Sequence, residues 1–225
     1  MSAADRLAVT SVDGNDAITS VLLFGMNHEN LNWKGEVSPS AIVDSSAKIW
    51  DFAQVRENAR IGANCIVGRG AYIGSGVVIG ANCKVQNDAM VYEPAVLEDG
   101  VFIGPNVVLT NDQYPRAINA DGTIKSASDW NAVGVTVRHG ASIGAHSVCI
   151  APVVIGEWSL VGSGSVVSND VPDHALVVGN PARQIGWVGK SGYKLIEISS
   201  TSWQCPKTGS KYHKDSYGCM KEDVK

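Results

Sequence analysis

Side chains able to do chemistry gather in a few places along the 225 residues. The densest run is Asn111-Asp112-Gln113-Tyr114-Pro115-Arg116, followed by Asn119-Ala120-Asp121-Gly122-Thr123. Amide, carboxylate and guanidinium groups so close together can orient a polar ligand. A second run is Lys84-Val85-Gln86-Asn87-Asp88, with Val91-Tyr92-Glu93-Pro94 just beyond it. Its amides suit the reading of hydroxyls, although asparagine also tolerates the left-handed backbone of a tight corner. Of the five histidines, His139 and His146 follow the first run and are the candidates for a proton acceptor. His28, His174 and His213 read as surface residues. Cys205, His213 and Cys219 give at most three metal ligands near the C-terminus, where a structural zinc site needs four. No metal is expected.

These residues sit on a repeat. From Val37, every sixth residue through Leu109 is aliphatic, thirteen in succession. Four places after each of the first twelve is a small residue, from Ala41 through Cys65 and Cys83 to Val107. The phase breaks near Asn111 and resumes at Val137, Ile143, Cys149, Ile155, Val161 and Val167. A hexad of this kind is a short strand with one inward aliphatic, then a corner where Gly or Asn adopts positive φ. Three hexads close a triangular coil, and coils stack ~4.8 Å apart through backbone hydrogen bonds. A sandwich of alternating strands would not hold a period of six so long. The expected fold is an all-β parallel β-helix over residues 37–187, with an inserted loop at 111–131. Residues 1–36 read as an N-terminal cap containing a hairpin. Residues 188–225 read as a small C-terminal tail.

Composition closes off other classes. Glycine is 24 of 225, about 11% against a usual ~7%. A net charge of −4 gives no reason to expect a nucleic-acid partner. No apolar stretch reaches the ~18 residues that span a bilayer, and the run Val21-Leu22-Leu23-Phe24 is too short for a secretory core. The chain reads as cytoplasmic, its five cysteines as reduced thiols.

The period resembles that of the hexapeptide-repeat acyltransferases, whose β-helix is left-handed; the hand follows from the resemblance alone. Val171-Pro172-Asp173-His174 through Gly179-Asn180-Pro181-Ala182-Arg183 resembles the stretch that closes the helix in sugar acyltransferases. Arg183-Gln184-Ile185-Gly186-Trp187 is similar to enzymes that N-acetylate the 3-amino group of nucleotide-linked amino sugars. The loop is similar to theirs at Thr110, Asn111, Pro115 and Arg116. Val188-Gly189-Lys190-Ser191-Gly192 and Cys205-Pro206-Lys207-Thr208-Gly209 resemble two zinc-ribbon knuckles lacking three of four thiols.

The resemblance implies an acetyl-CoA-dependent N-acetyltransferase, a homotrimer with active sites between subunits, serving surface-polysaccharide (lipopolysaccharide, O-antigen) synthesis. It implies Asn111 as the catalytic residue. Gln86, Asn87, Tyr92, Asp112 and Arg116 would meet the nucleotide sugar, and Ala145, Ala151, Ser163 and Arg183 the CoA. The closing motif leans towards UDP-2-acetamido-3-amino-2,3-dideoxyglucuronate, with a dTDP-3-amino-3,6-dideoxyhexose as the alternative acceptor. A metal-binding, carbonic-anhydrase-like β-helix and a purely structural scaffold are the competing classes. The first needs several groove histidines, and the second has no use for a polar inserted loop.

Overall fold

The structure, a computed structural model, describes residues 35–216 and 218–223. The cap and hairpin expected at the N-terminus, and His28 with them, lie outside the described residues apart from 35 and 36.

Each hexad yields a two-residue strand, and every third strand pairs in parallel. Three ladders result. Face A runs from Glu36–Val37 to Val166–Val167, face B from Ile42–Val43 to Val153–Ile155, and face C from Lys48–Ile49 to Ala175–Val178. Within a strand the second residue points inward. In Tyr72–Ile73, Met90–Val91 and Lys84–Val85 the aliphatic is buried while its neighbour faces out. The small residues are inward too: Ala59, Ala71, Ala89 and Ala95 are fully buried. One aliphatic column fills the prism, as the period predicts. The stacked parallel sheets agree with the β-helix that the resemblance implies.

The corners meet the backbone requirement expected of them. Asn58, Asn64, Asn82, Asp88 and Asn106 have φ between 56° and 60°. The corners at Glu93-Pro94 and Ala151-Pro152 instead contain cis bonds. They lie one coil below and one coil above the point where the chain leaves the helix.

That departure is clear in the register. Leu97 pairs with Ile79, 18 residues away, and with Val137, 40 residues away, so 22 extra residues enter one coil. They leave after Val108–Leu109 on face A and return at Val135–Val137 on face B. The excursion holds a bridge between Ile118 and Ile124 and one short 3-10 turn, Ala127–Asp129. No α-helix forms among the described residues.

Beyond the last coil, Arg183–Trp187 pairs antiparallel with Ala175–Val178 and closes face C. The tail then forms a four-stranded antiparallel meander from Ile196–Ser199 to Met220–Glu222, more ordered than the sequence suggested. Its small core is Leu195, Trp203, Cys205, Tyr212 and Met220, with Trp187 packed against it. The two knuckle segments do meet: Ser191 Oγ is 3.1 Å from Cys205 Sγ. Burial works to raise the Cys205 pKa, but hydrogen bonds from Ser191, Thr208 and backbone N–H groups outweigh it and bring the thiol down to about 7. All five cysteines are free.

His174 corrects the surface reading. It is 5% exposed, donates from Nδ1 to the Val188 carbonyl at 2.9 Å, and packs edge-on against Tyr212. The hexad corner that carries it is roofed by the tail, which the repeat alone could not reveal. Burial holds its pKa below the usual 6.5, against the opposing charges of Asp173 and Glu222. The folded imidazole is therefore neutral where the unfolded one takes a proton. This contribution is complete above about pH 6.5 and declines as pH falls from there through the folded pKa. His174→Asn keeps a donor and tolerates the left-handed backbone at φ 60°. Between about pH 7.5 and 5.5 the wild-type melting temperature is expected to fall further than that of His174→Asn. Equal declines in the two proteins would refute the assignment.

Candidate functional site

The prism has three edges, and the polar residues divide among them. The edge from face A to face B carries Gly74-Ser75-Gly76, then Tyr92-Glu93-Pro94, then the inserted segment, then Ile150-Ala151-Pro152. Register fixes the order: Val91 pairs with Leu109, and Leu109 with Cys149. Asn111 is thus one coil above Glu93 and one below Ala151. Its carbonyl accepts from Val133 N at 3.1 Å, which ties the root of the loop to its return. Thr110 Oγ1 accepts from Ala151 N at 3.0 Å, so the corner above is stapled to the loop. Asp112 is half-buried, and its Oδ1 accepts from Tyr114 N at 2.9 Å, an Asx turn that starts the excursion. Arg116 lies further out, exposed, donating to the Pro115 carbonyl.

The edge from face C to face A carries Gln86-Asn87-Asp88, and higher up Ala145-His146 and Ser163. Asn87 Oδ1 accepts from Arg69 N at 3.0 Å, and Asn106 N donates to the Asn87 carbonyl. That is the corner ladder. Gln86 is half-buried beside it. His146 is exposed at φ 59° on this same edge, away from the insertion. The third edge carries His139, whose backbone N donates to Glu98 at 2.8 Å and whose ring stands edge-on to Trp158 at 5.1 Å. Arg183 is exposed on the closing strand, its guanidinium donating to the Ala182 carbonyl.

One chain therefore brings together Tyr92, Asn111, Asp112 and Ala151. It separately stacks Gln86, Asn87, Ala145 and Ser163, and it places Arg116 and Arg183 with neither set. Glu93, at the heart of the first edge, was passed over in the sequence. Counting 18 residues back from Asn111 would have singled it out. Among the described residues no group of three His, Cys, Asp or Glu side chains is placed to hold a metal ion.

The structure is a stack of triangular coils of six-residue repeats with one looped corner. Residues 40–75 and 76–111 each match the family described as bacterial transferase hexapeptide (six repeats), and residues 58–93 match the hexapeptide repeat of succinyl-transferase. The chain is 51% identical over 72 residues to a dTDP-3-amino-3,6-dideoxy-alpha-D-galactopyranose 3-N-acetyltransferase of Aneurinibacillus thermoaerophilus, covering 32% of this chain and 38% of that protein. It is 33% identical over 142 residues to the bifunctional protein GlmU of Brevibacillus brevis, covering 63% of this chain and 23% of the other. The chain thus spans well under half the length of these relatives. Among solved structures, the acetyltransferase domain of PglB from Neisseria gonorrhoeae aligns at 23% identity and a TM-score of 0.45, covering 71% of this chain and 62% of that one.

Proposed function

We propose that this chain is an acetyl-CoA-dependent N-acetyltransferase acting on the 3-amino group of a nucleotide-linked amino sugar. The observation that carries the reading is the looped corner. Twenty-two residues leave a rigid, filled prism at one place, rooted by Thr110 and Asn111 and bearing Pro115 and Arg116. Function on a rigid scaffold is carried by such loops. The relative that is 51% identical over 72 residues bears the name of a 3-N-acetyltransferase of this class.

The reaction joins the sugar nitrogen to the acetyl carbonyl and breaks the carbon–sulfur bond. The amine must be neutral when it attacks, and adjacent electron-withdrawing hydroxyls make a sugar amine less basic than an alkylamine. The Asn111 side chain accepts a hydrogen bond from the amine and aligns it. A backbone N–H at the edge serves the developing oxyanion. The proton released from nitrogen ends on the departing CoA sulfur. No histidine is required by this route.

The split of the site between two edges supports the homotrimer. Face A joins these edges and turns Tyr72, Met90, Val108, Val148 and Val166 outward, an apolar stripe suited to a sister copy. Packed in this way, Asn111 and Tyr92 of one chain face Gln86, Asn87, Ala145 and Ser163 of the next, and the crevice takes sugar and pantetheine. Of the two acceptors, the dTDP-3-amino-3,6-dideoxyhexose has the better support, through the name of that relative. The UDP-linked uronate needs a cation for its carboxylate, and Arg116 and Lys84 lie on different sides of the prism. Within one chain His139 and His146 occupy different edges, which disfavours a carbonic-anhydrase-like metal site. A cytoplasmic setting for surface-polysaccharide synthesis fits these substrates.

Acetyl-CoA is expected to raise the melting temperature by mass action, by about 2.7 kcal/mol of stability at 100 times Kd. Incubation with acetyl-CoA and a panel of dTDP- and UDP-linked amino sugars should release free thiol, fastest with a dTDP-3-amino-3,6-dideoxyhexose. Failure of every 3-amino sugar to release thiol would end the proposal.

A further inference from the structure

One carboxylate is unexplained by the fold. Glu93 lies in the corner one coil beneath Asn111, and its Oε2 is sealed from solvent with no hydrogen-bond partner. Native folds leave few buried polar atoms unpaired, because an unpaired acceptor forfeits its hydration for nothing. No ion pair among the described residues includes Glu93; Arg56, two coils below, pairs with Glu57 at 3.1 Å and also interacts with the Tyr72 phenol.

The chain also makes room for this group. The carboxylate folds onto Gly74, where an added Cβ would collide with Oε2. Tyr72 and Tyr92 wall the place, their ring centroids 5.3 Å apart. Burial first, and then the Glu93 charge, push the Tyr72 phenol upward, so the phenol stays protonated. Glu93 as a residue is half-buried, so a ligand at this edge meets the open side of the carboxylate while Oε2 stays sealed against Gly74.

A half-sealed carboxylate with no cation of its own is a receptor for a positively charged donor, since charge-assisted hydrogen bonds strengthen away from water. We infer that Glu93 binds the acceptor amine as it arrives protonated and so selects an amino sugar over its hydroxyl counterpart; the ammonium gives up one proton to solvent before attack, so that the reacting nitrogen is neutral. This rests on the N-acetyltransferase reading and goes beyond it by naming the group that discriminates amine from alcohol. Glu93 holds the nitrogen directly beneath Asn111, and Gly74 is the residue that lets it do so.

The test is Glu93→Gln, nearly isosteric but uncharged, assayed as the full chain. The ligands are the nucleotide-linked 3-amino sugar that the wild type acetylates and its 3-hydroxy counterpart, with binding measured by calorimetry. Wild type is expected to prefer the amine by roughly tenfold or more, the worth of one hydrogen bond to a charged group. Glu93→Gln should lose that preference and raise the sugar KM by a similar factor. Its acetyl-CoA affinity and melting temperature should stay near those of wild type. If the wild type acetylates the sugar but Glu93→Gln keeps the preference, the assignment of Glu93 falls while the enzyme reading stands. A lowered melting temperature with the preference intact would make Glu93 structural and overturn the inference equally. If the wild type releases no thiol with any amino sugar, both readings fall.

Discussion

Replacing Asn111 by Ala is expected to lower kcat roughly 100-fold, the cost of misplacing a reacting group by about an ångström. The fold should survive. The Asn111 side chain is half-buried, and the contact that secures the loop is its backbone carbonyl to Val133 N, which Ala retains. His146 should matter far less. His146→Asn is the fair comparison, because Ala at φ 59° would add ~1–2 kcal/mol of backbone strain unrelated to chemistry. A positioned general base contributes at least ~100-fold, so a loss within about threefold in His146→Asn would exclude that role. Asn111→Asp separates orientation of the amine from stabilisation of the oxyanion. It keeps an acceptor oxygen and should recover most of the rate if the side chain orients the amine. It should stay as slow as Ala if the amide N–H instead stabilises the oxyanion. A His146 variant slower than Asn111→Ala would reverse the mechanism.

The coils were legible because a repeat writes its geometry into spacing. Val85, Ile103 and Ile143 stack on face C since each strand offers one inward aliphatic per hexad, and the register follows from the count. The corner residues were legible for the same reason: Asn64, Asn82 and Asn106 stand where positive φ is needed. The tail was not legible. Its order comes from long-range packing of Trp203, Tyr212 and Met220 around Cys205, and no period announces such contacts. His174 was misread because its hexad position is normally solvated, and only the docked tail, through Val188 and Tyr212, removes it from water.

The geometry of the proposed site was half legible. The loop betrayed itself by breaking the period, and Asn111 by standing at its root. Gln86 and Asn87 looked adjacent to Tyr92 because the sequence runs through them in order. A hexapeptide chain turns a corner every six residues, so close neighbours in sequence can stand on different edges, while residues 18 apart touch. That rule separates Asn87 from Tyr92 and joins Glu93 to Asn111.

The scaffold that holds this edge should be intolerant of lost volume. Ile103 is fully buried between Val85 below and Ile143 above. In most cores the surroundings relax into part of a cavity, which sets the spread of ~2–5 kcal/mol for Ile→Ala. Here relaxation is barred. Gln86 N donates to the Ile103 carbonyl at 2.9 Å and Gly104 N to the Ile143 carbonyl at 2.8 Å, so backbone bonds fix the coil spacing on both sides. Gly104 packs so closely that an added Cβ would lie 2.7 Å from Ala145 N. Ile103→Ala should therefore cost about 4–5 kcal/mol, the upper end of that range, and Ile103→Val ~0.5–1.5 kcal/mol. Ile124→Ala, in the loop at 83% exposure, should stay within about 0.5 kcal/mol. Urea midpoints at constant slope measure all three. A cost for Ile103→Ala below ~2 kcal/mol would mean that the coils close over the cavity. The stack would then be too compliant to hold Glu93 and Asn111 in register.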